Sequence, residues 1–357
     1  MTNVALLGPA PSSGDVGLLS VVIKTYNEED KIGRAIESVL ALADEVSPLR
    51  LEVVVADSCS EDATVVVASR YPVRVVRLRN PSDRGCGAGV QLGYEWAHGE
   101  WVYLMDGDMR LQPGFLCAAL QRLAQDAALG GVGGGVADDR VINGIDRIRV
   151  NNRSGQLGGE LPWLEGGGLY RRSAIGRAGG YAADRNLQAY EEAELGLRVR
   201  HAGFRLLRLD RVAVSHQGHA MSTWALMRRH WRSRRAMSAG MLLRMALPMP
   251  WRGAVVRMLA HPLATGGWWL ALLVGCLLPG LAVSTWLAVW LSLSGLAVLA
   301  LALHKRDAAH ALVSVASWHY ALAAIVIGWS ARLQPPGTPI EAELLQDYTA
   351  PPVSGAL

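Results

Sequence analysis

Charge is scarce in this sequence, and the stretch where it is missing altogether is the most informative. Charged residues make up 18% of the 357, below the roughly one quarter usual in soluble chains, and mean hydropathy is +0.19. The deficit is concentrated, because Leu263 to Leu303 carries no charge at all. A soluble core does not run so far without one, so this end of the chain belongs in lipid. Cysteine is sparse as well. Cys59, Cys86, Cys117 and Cys276 show neither paired zinc spacing nor a disulfide framework, which points to reduced thiols on a cytosolic face. Met1 to Gly17 lacks a basic flank followed by an apolar core, so no signal peptide is expected. No internal repeat is visible. The formal net charge is +4, with much of the positive charge between Arg198 and Arg257. No helix-turn-helix, zinc-finger or aromatic RNA-binding pattern accompanies it, so anionic lipid rather than nucleic acid is its expected partner.

What is present begins with alternation. Leu19–Lys24 is a buried, β-branched run, and Ile32, Ala35, Ile36, Val39 and Leu40 then fall on one helical face. Leu51–Ala56 runs into Asp57, and Ser60 stands where it could cap a helix carrying Val65 to Ala68. Val73–Leu78 and Trp101–Met105 read as further strands, with a glycine-containing helix over Gly87–Ala97 between them. Strands and helices in this rhythm predict a parallel sheet covered on both faces. Ligands bind such sheets at the carboxyl ends of the strands, so Asn27, Asp57 and Asp106, each just past a strand, should share one edge. The glycines of 130–135, 158–159 and 166–168 are interleaved with Trp163, Leu164, Leu169 and Tyr170, and are expected as loops and a strand close to a ligand. A helix is expected over Glu191–His201.

Three apolar spans are expected at Leu263–Pro279, Leu281–Leu303 and Ala311–Ala331. At ~1.5 Å per residue the second reaches about 34 Å, enough for a ~30 Å core, while the first is marginal at about 25 Å. Three spans would put the catalytic domain and the loop at Lys305 in the cytoplasm and the tail outside, and two remain if the first lies in the interface. Before them, Trp224, Trp231 and Trp251 mix with Arg228, Arg229, Arg232, Arg234, Arg235 and Arg244, a composition suited to headgroups. The expected organisation is an extension at 1–18, an α/β catalytic domain at 19–222, basic interface helices at 223–260, two or three transmembrane helices at 261–333, and a tail at 334–357.

The chemistry starts from Asp106-Gly107-Asp108. Two carboxylates one residue apart in a turn after a buried strand can face one ion, and hard oxygen ligands suit the Mg²⁺ or Mn²⁺ that accompanies a diphosphate. Ser20-Val-Val-Ile-Lys-Thr-Tyr-Asn-Glu-Glu29, Asp57-Ser-Cys-Ser-Glu-Asp62, Asp106-Gly107-Asp108, Gly166-Gly167-Gly168 with Tyr170-Arg171-Arg172, and Glu191-Glu192-Ala193-Glu194-Leu195 with Arg198 follow in order from about 19 to 220. Together they resemble the motifs of family 2 glycosyltransferases, which have the GT-A fold, a Rossmann-like mixed sheet with helices on both faces.

The resemblance implies an inverting, metal-dependent transfer from a nucleotide-sugar to a hydroxyl, with a UDP-sugar preferred and GDP-sugars open; the membrane anchor and the basic surface beside it point to a lipid-linked or glycan acceptor at the cytoplasmic membrane. The resemblance further implies donor contacts from Thr25, Asn27, Glu28, Asp57, Asp106 and Asp108, with Asp57 on the base. Gly166, Gly167 and Gly168 would lie on the acceptor side, and Asp106 and Asp108 would hold the metal. Glu192 aligns with the family's catalytic aspartate, with Glu191 as fallback, although glutamate is one methylene longer. Two further candidates stand beside these: His216, ahead of His219, follows a strand where related enzymes place a third metal ligand, and Arg84 opens a loop that could approach the donor phosphates. The processive Q-x-x-R-W signature is met only faintly by Arg228-Arg229-His230-Trp231, which favours single-sugar transfer. Two alternatives stand beside this reading. One is an inactive membrane scaffold on the same fold. The other is a nucleotidyltransferase, against which the acidic turn Thr25-Tyr26-Asn27-Glu28-Glu29 argues.

Overall fold

The computed structural model describes residues 17–138, 158–216, 221–278 and 282–348. Its centre is a sheet built first from parallel strands. β1 (Leu18–Thr25) lies between β2 (Arg50–Asp57) and β4 (Trp101–Asp106), and β3 (Arg74–Leu78) follows β2. Their odd and even side chains face different cores, as the two-residue period of a strand requires. Val21, Ile23, Val53 and Val55 pack under α1 (Ile32–Leu40) and α4 (Phe115–Gln125). Val22, Val54, Val76 and Val102 meet α3 (Cys86–Trp96), with Ala174 and Ile175 of α5 (Arg172–Arg177) and Leu195 and Val199 of α6 (Glu191–His201). The helix over 191–201 and the amphipathic face of α1 match the sequence expectation.

Beyond β4 the sheet ceases to be parallel. β8 (Gly168–Arg171) is antiparallel to β4 and to β6 (Leu129–Asp138), while β6 and β9 (Arg205–His216) run parallel to each other. β5 (Met109–Leu111) and β7 (Gly159–Glu160) pair antiparallel with β9. The purely parallel sheet suggested by the alternation is therefore corrected to the mixed sheet of a GT-A fold. Ser60 does not cap α2 (Thr64–Ala68). Its hydroxyl instead accepts from the Asn27 amide at 2.9 Å, and Asp62 Oδ1 accepts from the Thr64 amide at 2.9 Å.

The C-terminal part contains α7 (Thr223–Arg232), α8 (Ser238–Ala246) and α9 (Arg252–Met258), then α10 (Ala260–Leu277), α11 (Val283–Lys305) and α12 (Ala308–Trp329). The last three are long and apolar enough to cross a membrane. The chain then returns to the catalytic sheet. β10 (Ala342–Gln346) pairs antiparallel with β3, Asp347 accepts from Arg74 Nε at 2.8 Å, and Arg185 donates to the carbonyls of Thr338 and Pro339 at 3.0 and 3.1 Å. This corrects two expectations. The catalytic sheet does not close at 222, and the tail cannot lie across the membrane from it, because both are parts of one hydrogen-bonded sheet.

Candidate active site

Strand register assembles the site. Thr25 stands opposite Asp57 and Lys24 opposite Asp106, so the expected donor residues do share the carboxyl edge. The loops after β1 and β2 are laced together. Asn27, in the left-handed region (φ 53°), accepts from the Glu61 amide at 2.8 Å, and the Glu28 amide donates to Thr64 Oγ1 at 2.7 Å. Asn27 thus shapes the donor edge through the backbone of the second loop. Asp57 is fully buried. Its Oδ2 accepts from the Ser60 amide at 3.0 Å and lies 3.4 Å from Arg77 Nε, while its Oδ1 has no hydrogen-bond partner. Burial pushes its pKa up, against the Ser60 contacts. A buried carboxylate oxygen left unsatisfied is costly, and a ring N–H of a base would satisfy it. Arg84 sits on this same side. Its guanidinium reaches the Tyr26 hydroxyl (3.1 Å), the Cys59 carbonyl (2.9 Å) and Glu61 (2.9 Å).

Gly107 has a steric reason to be glycine: a Cβ there would collide with Glu28 Oε2, which itself accepts from Thr25 Oγ1 at 2.9 Å. The two aspartates around it have different company. Asp108 Oδ2 is 3.3 Å from His216 Nε2 and 3.8 Å from Lys31 Nζ. Asp106 Oδ1 is 3.1 Å from Lys24 Nζ. The structure therefore joins Asp108 to His216, while Asp106 pairs with Lys24. Among the described residues, no three His, Cys, Asp or Glu side chains converge as a ready metal cage. One carboxylate with one imidazole still suits Mg²⁺ or Mn²⁺, which take their remaining ligands from water and substrate phosphates. Crowding of acid at this point agrees: burial, followed by Asp108, drives the Glu28 pKa up, and a divalent cation would relieve that repulsion. His219 lies outside the described residues.

Adjacent Glu191 and Glu192 at the start of α6 have opposite environments. Glu191 is buried and bonded to Lys24 Nζ at 2.7 Å. Burial works to raise its pKa, but Lys24 and Arg235 hold it below the usual carboxylate value. Glu192 lacks such a partner. Its Oε1 accepts from the Gly166 and Gly167 amides at 3.1 and 3.3 Å, and burial, Glu191 and Asp106 push its pKa up to about 7. Gly166 (φ 70°) and Gly167 (φ 96°) are in the left-handed region, where a side chain would be strained. A Cβ on Gly166 would also meet Val136. The glycine loop expected on the acceptor side is thus the seat of Glu192. Both glutamates line a small open pocket with Lys24, Asp106, Gly167, Gly168 and Tyr170.

Sequence reasoning missed two members of this site. Lys24 bridges Glu191 and Asp106, and the signal was available, because a lysine closes an otherwise apolar strand. Arg235 comes from the basic stretch expected on headgroups, yet its Nη1 lies 3.0 Å from Cys86 Sγ, with Glu191 and Asp106 close enough to act on its charge. Arg244 stays exposed and donates to the carbonyls of Trp329 and Ala331 at 3.0 and 2.8 Å. Nothing in the run of arginines separates Arg235 from its exposed neighbours.

A mixed sheet that gathers Asp57, Asp106, Asp108 and Glu192 at one edge, ahead of long apolar helices, defines a GT-A nucleotide-sugar-transferase fold. Residues 20–175 match the family described as Glycosyl transferase family 2. The chain is 33% identical over 147 residues to the succinoglycan biosynthesis protein ExoO of Rhizobium meliloti, covering 40% of this chain and 38% of that protein. It is 36% identical over 101 residues to the dodecaprenyl-phosphate galacturonate synthase of Rhizobium johnstonii, covering 27% and 29%. The match thus spans well under half the length of either curated relative. Among solved structures, the mannosyltransferase PcManGT from Pyrobaculum calidifontis, in complex with GDP-Man and Mn²⁺, aligns over 90% of this chain and 89% of its own. The TM-score is 0.57 at 22% identity, a likeness of fold.

Proposed function

We propose that the protein is an inverting, metal-dependent glycosyltransferase at the cytoplasmic face of a membrane. It takes a hexosyl group from a nucleotide-sugar and places it on a hydroxyl of a lipid-linked or glycan acceptor. The observation that carries this reading is the division of labour between two neighbouring glutamates. Glu191 is fixed as a carboxylate by Lys24, whereas Glu192 sits at the cavity with a pKa near 7. A group in that range is suited to accept a proton at neutral pH. In the proposed reaction an acceptor hydroxyl gives its proton to Glu192 as its oxygen attacks the anomeric carbon, and the nucleoside diphosphate leaves from the opposite face. The Gly166 and Gly167 amides hold the carboxylate in place, and Asp57 offers its free oxygen to the base.

Asp108 and His216 would hold the divalent cation, with Asp106 nearby; when bound, it would neutralise charge on the departing diphosphate. The relative bound to GDP-Man and the UDP-sugar expectation both belong in one donor panel. Purified protein with Mn²⁺ or Mg²⁺ is given each common nucleotide-sugar, and released nucleoside diphosphate is measured beside Asp108→Ala. Metal-dependent release from one donor, lost in the variant, supports the reading and names the sugar. Pyrophosphate as product would replace it with nucleotidyl transfer. Absence of metal-dependent nucleotide binding by calorimetry would favour the scaffold.

A further inference from the structure

Lys24 is the only charged residue of β1, and its place in the strand decides where that charge goes. Register puts it beside Asp106 of β4, on the face from which Val22 also meets α3. A Cβ on Gly89 of α3 would come within 3.3 Å of Lys24 Cβ, so that glycine leaves room for the lysine stem. The ammonium ends between two carboxylates from different elements, Glu191 Oε1 of α6 at 2.7 Å and Asp106 Oδ1 at 3.1 Å. Side-chain exposure is 13% for Lys24 and 7% for Glu191, against 38% for Asp106. Enclosed ion pairs repay their desolvation poorly, so a cation fixed here points to a part in the chemistry rather than in stability.

The charges around this ammonium balance until Glu192 is counted. Lys24 and Arg235 are the cations, and Asp106 and Glu191 are the anions that act on them. Burial works against the charge on Lys24, but Asp106, Cys86 and Glu191 hold its pKa well above the usual lysine value. Glu192 is the carboxylate left over. Its Oε1 accepts from the Gly166 and Gly167 amides. Glu191 faces it from its own helix, Asp106 from β4 and Lys24 from β1. The Tyr103 and Tyr170 hydroxyls face it from β4 and β8, and burial, followed by Glu192 itself, raises both, so they stay neutral. Among these side chains Lys24 alone favours the ionised form of Glu192.

We propose that Lys24 is a positioning residue that fixes the charge pattern of the pocket: it holds Glu191 and Asp106 ionised and in place, and so leaves Glu192 as the group that exchanges a proton. Its consequence for the reaction rests on the reading of Glu192 as the base. The sign follows from the charges. A nearby cation favours the carboxylate form, so Lys24 opposes burial and the two neighbouring carboxylates, and Glu192 stays at about 7 rather than higher. Without the lysine, three carboxylates share one enclosed edge with no ammonium between them. Glu192 then keeps its proton at neutral pH and cannot accept another from a hydroxyl. Because the ammonium belongs to the chain itself, this pattern is set before any donor arrives, as a preorganised site requires.

Infrared titration of the full chain in detergent, without donor or metal, tests this directly. The protonated carboxyl of Glu192 is the band that Glu192→Gln removes, and its wild-type midpoint should lie near pH 7. Lys24→Met should move that midpoint up by about one unit, while Lys24→Arg, which keeps the cation, should leave it close to the wild-type value. If Lys24→Met does not accumulate, a second pair reads the same effect with the enclosed ion pair removed. The midpoint should fall below wild type in Glu191→Gln and rise again when Lys24→Met is added to that variant. The acid limb of kcat, measured with the nucleotide-sugar that the donor panel selects, should move in the same order, and Lys24→Met should regain rate at alkaline pH. A lysine that only supports packing would lower the rate at every pH and leave the limb in place. An unmoved midpoint in Lys24→Met, or between Glu191→Gln and the double variant, overturns the inference, as does a wild-type midpoint at the ordinary 4.5. Midpoints in the expected order, together with full turnover by Glu192→Gln, would uphold the hold of Lys24 on Glu192 and remove only the base reading.

Discussion

At the residue scale, identical side chains one position apart do different things because their neighbours differ. Glu192→Gln should lower turnover by about 10²–10⁴-fold, the usual worth of a positioned base, while donor affinity by calorimetry stays within about twofold. Glu191→Gln should instead release Lys24 and weaken the fold, with a lower unfolding midpoint beside the loss of rate. The pH dependence follows from the raised pKa of Glu192. A base acts only when ionised, so kcat should be flat above about pH 7 and fall tenfold per unit below it. An acid limb near pH 4.5 would mean that the working carboxylate is an ordinary exposed one. Gly107→Ala probes the same edge from the other side. Its Cβ would displace Glu28 from Thr25, so nucleotide affinity should drop by at least tenfold with little change in overall helicity by circular dichroism.

At the element scale, the parallel half of the sheet was legible because β1, β2 and β4 read as apolar runs ending in a polar residue, and α1 and α6 matched their patterns. The antiparallel half was not, because β6 is largely glycine and β8 is four residues long. Such segments take their direction from neighbours rather than from their own periodicity. The site was legible where it follows a strand, as with Asp57 and Asp106, and hidden where folding imports a residue from far along the chain. Arg235 is the clearest case. It reaches Cys86 because α8 and the end of α12 pack closely through Gly240 and Gly328, where a Cβ on Gly240 would strike the Ile325 carbonyl. Gly240→Val should separate these helices and withdraw Arg235. The expected result is a severalfold or greater loss of turnover in protein whose nucleotide binding persists. Gly253→Ala, which meets only the far end of Arg257 at 3.9 Å, is the neutral control.

At the scale of the whole molecule, the C-terminal segment belongs to the catalytic unit. Sequence alone suggested a detached tail, since nothing in Ala342–Gln346 announces its distant partner on β3. Its contacts fall on two places that matter. Gln346 Nε2 donates to the carbonyls of Tyr71 and Val73 at 2.8 and 2.9 Å beside the β3 edge, and the Gln334 amide donates to Asn186 Oδ1 at 2.9 Å. Asn186 and Arg185 lie in the loop that leads into α6, and the Gly87 amide donates to the Leu187 carbonyl at 2.7 Å in the same loop. The tail therefore braces the segment that delivers Glu191 and Glu192 to the cavity. Ending the chain after Gln334 should strip the β3 edge and free that loop together. Losing a strand pairing and the Arg74–Asp347 contact, at about 2 kcal/mol or more, should lower the unfolding midpoint by roughly 4–8 °C. Turnover should fall further than stability explains at temperatures where the truncated protein is fully folded, and donor affinity should weaken as well, because Glu343 stands opposite Arg77, whose guanidinium lies 3.4 Å from Asp57. If the midpoint falls but turnover in the folded state is unchanged, the tail closes an exposed sheet edge and does not position the base.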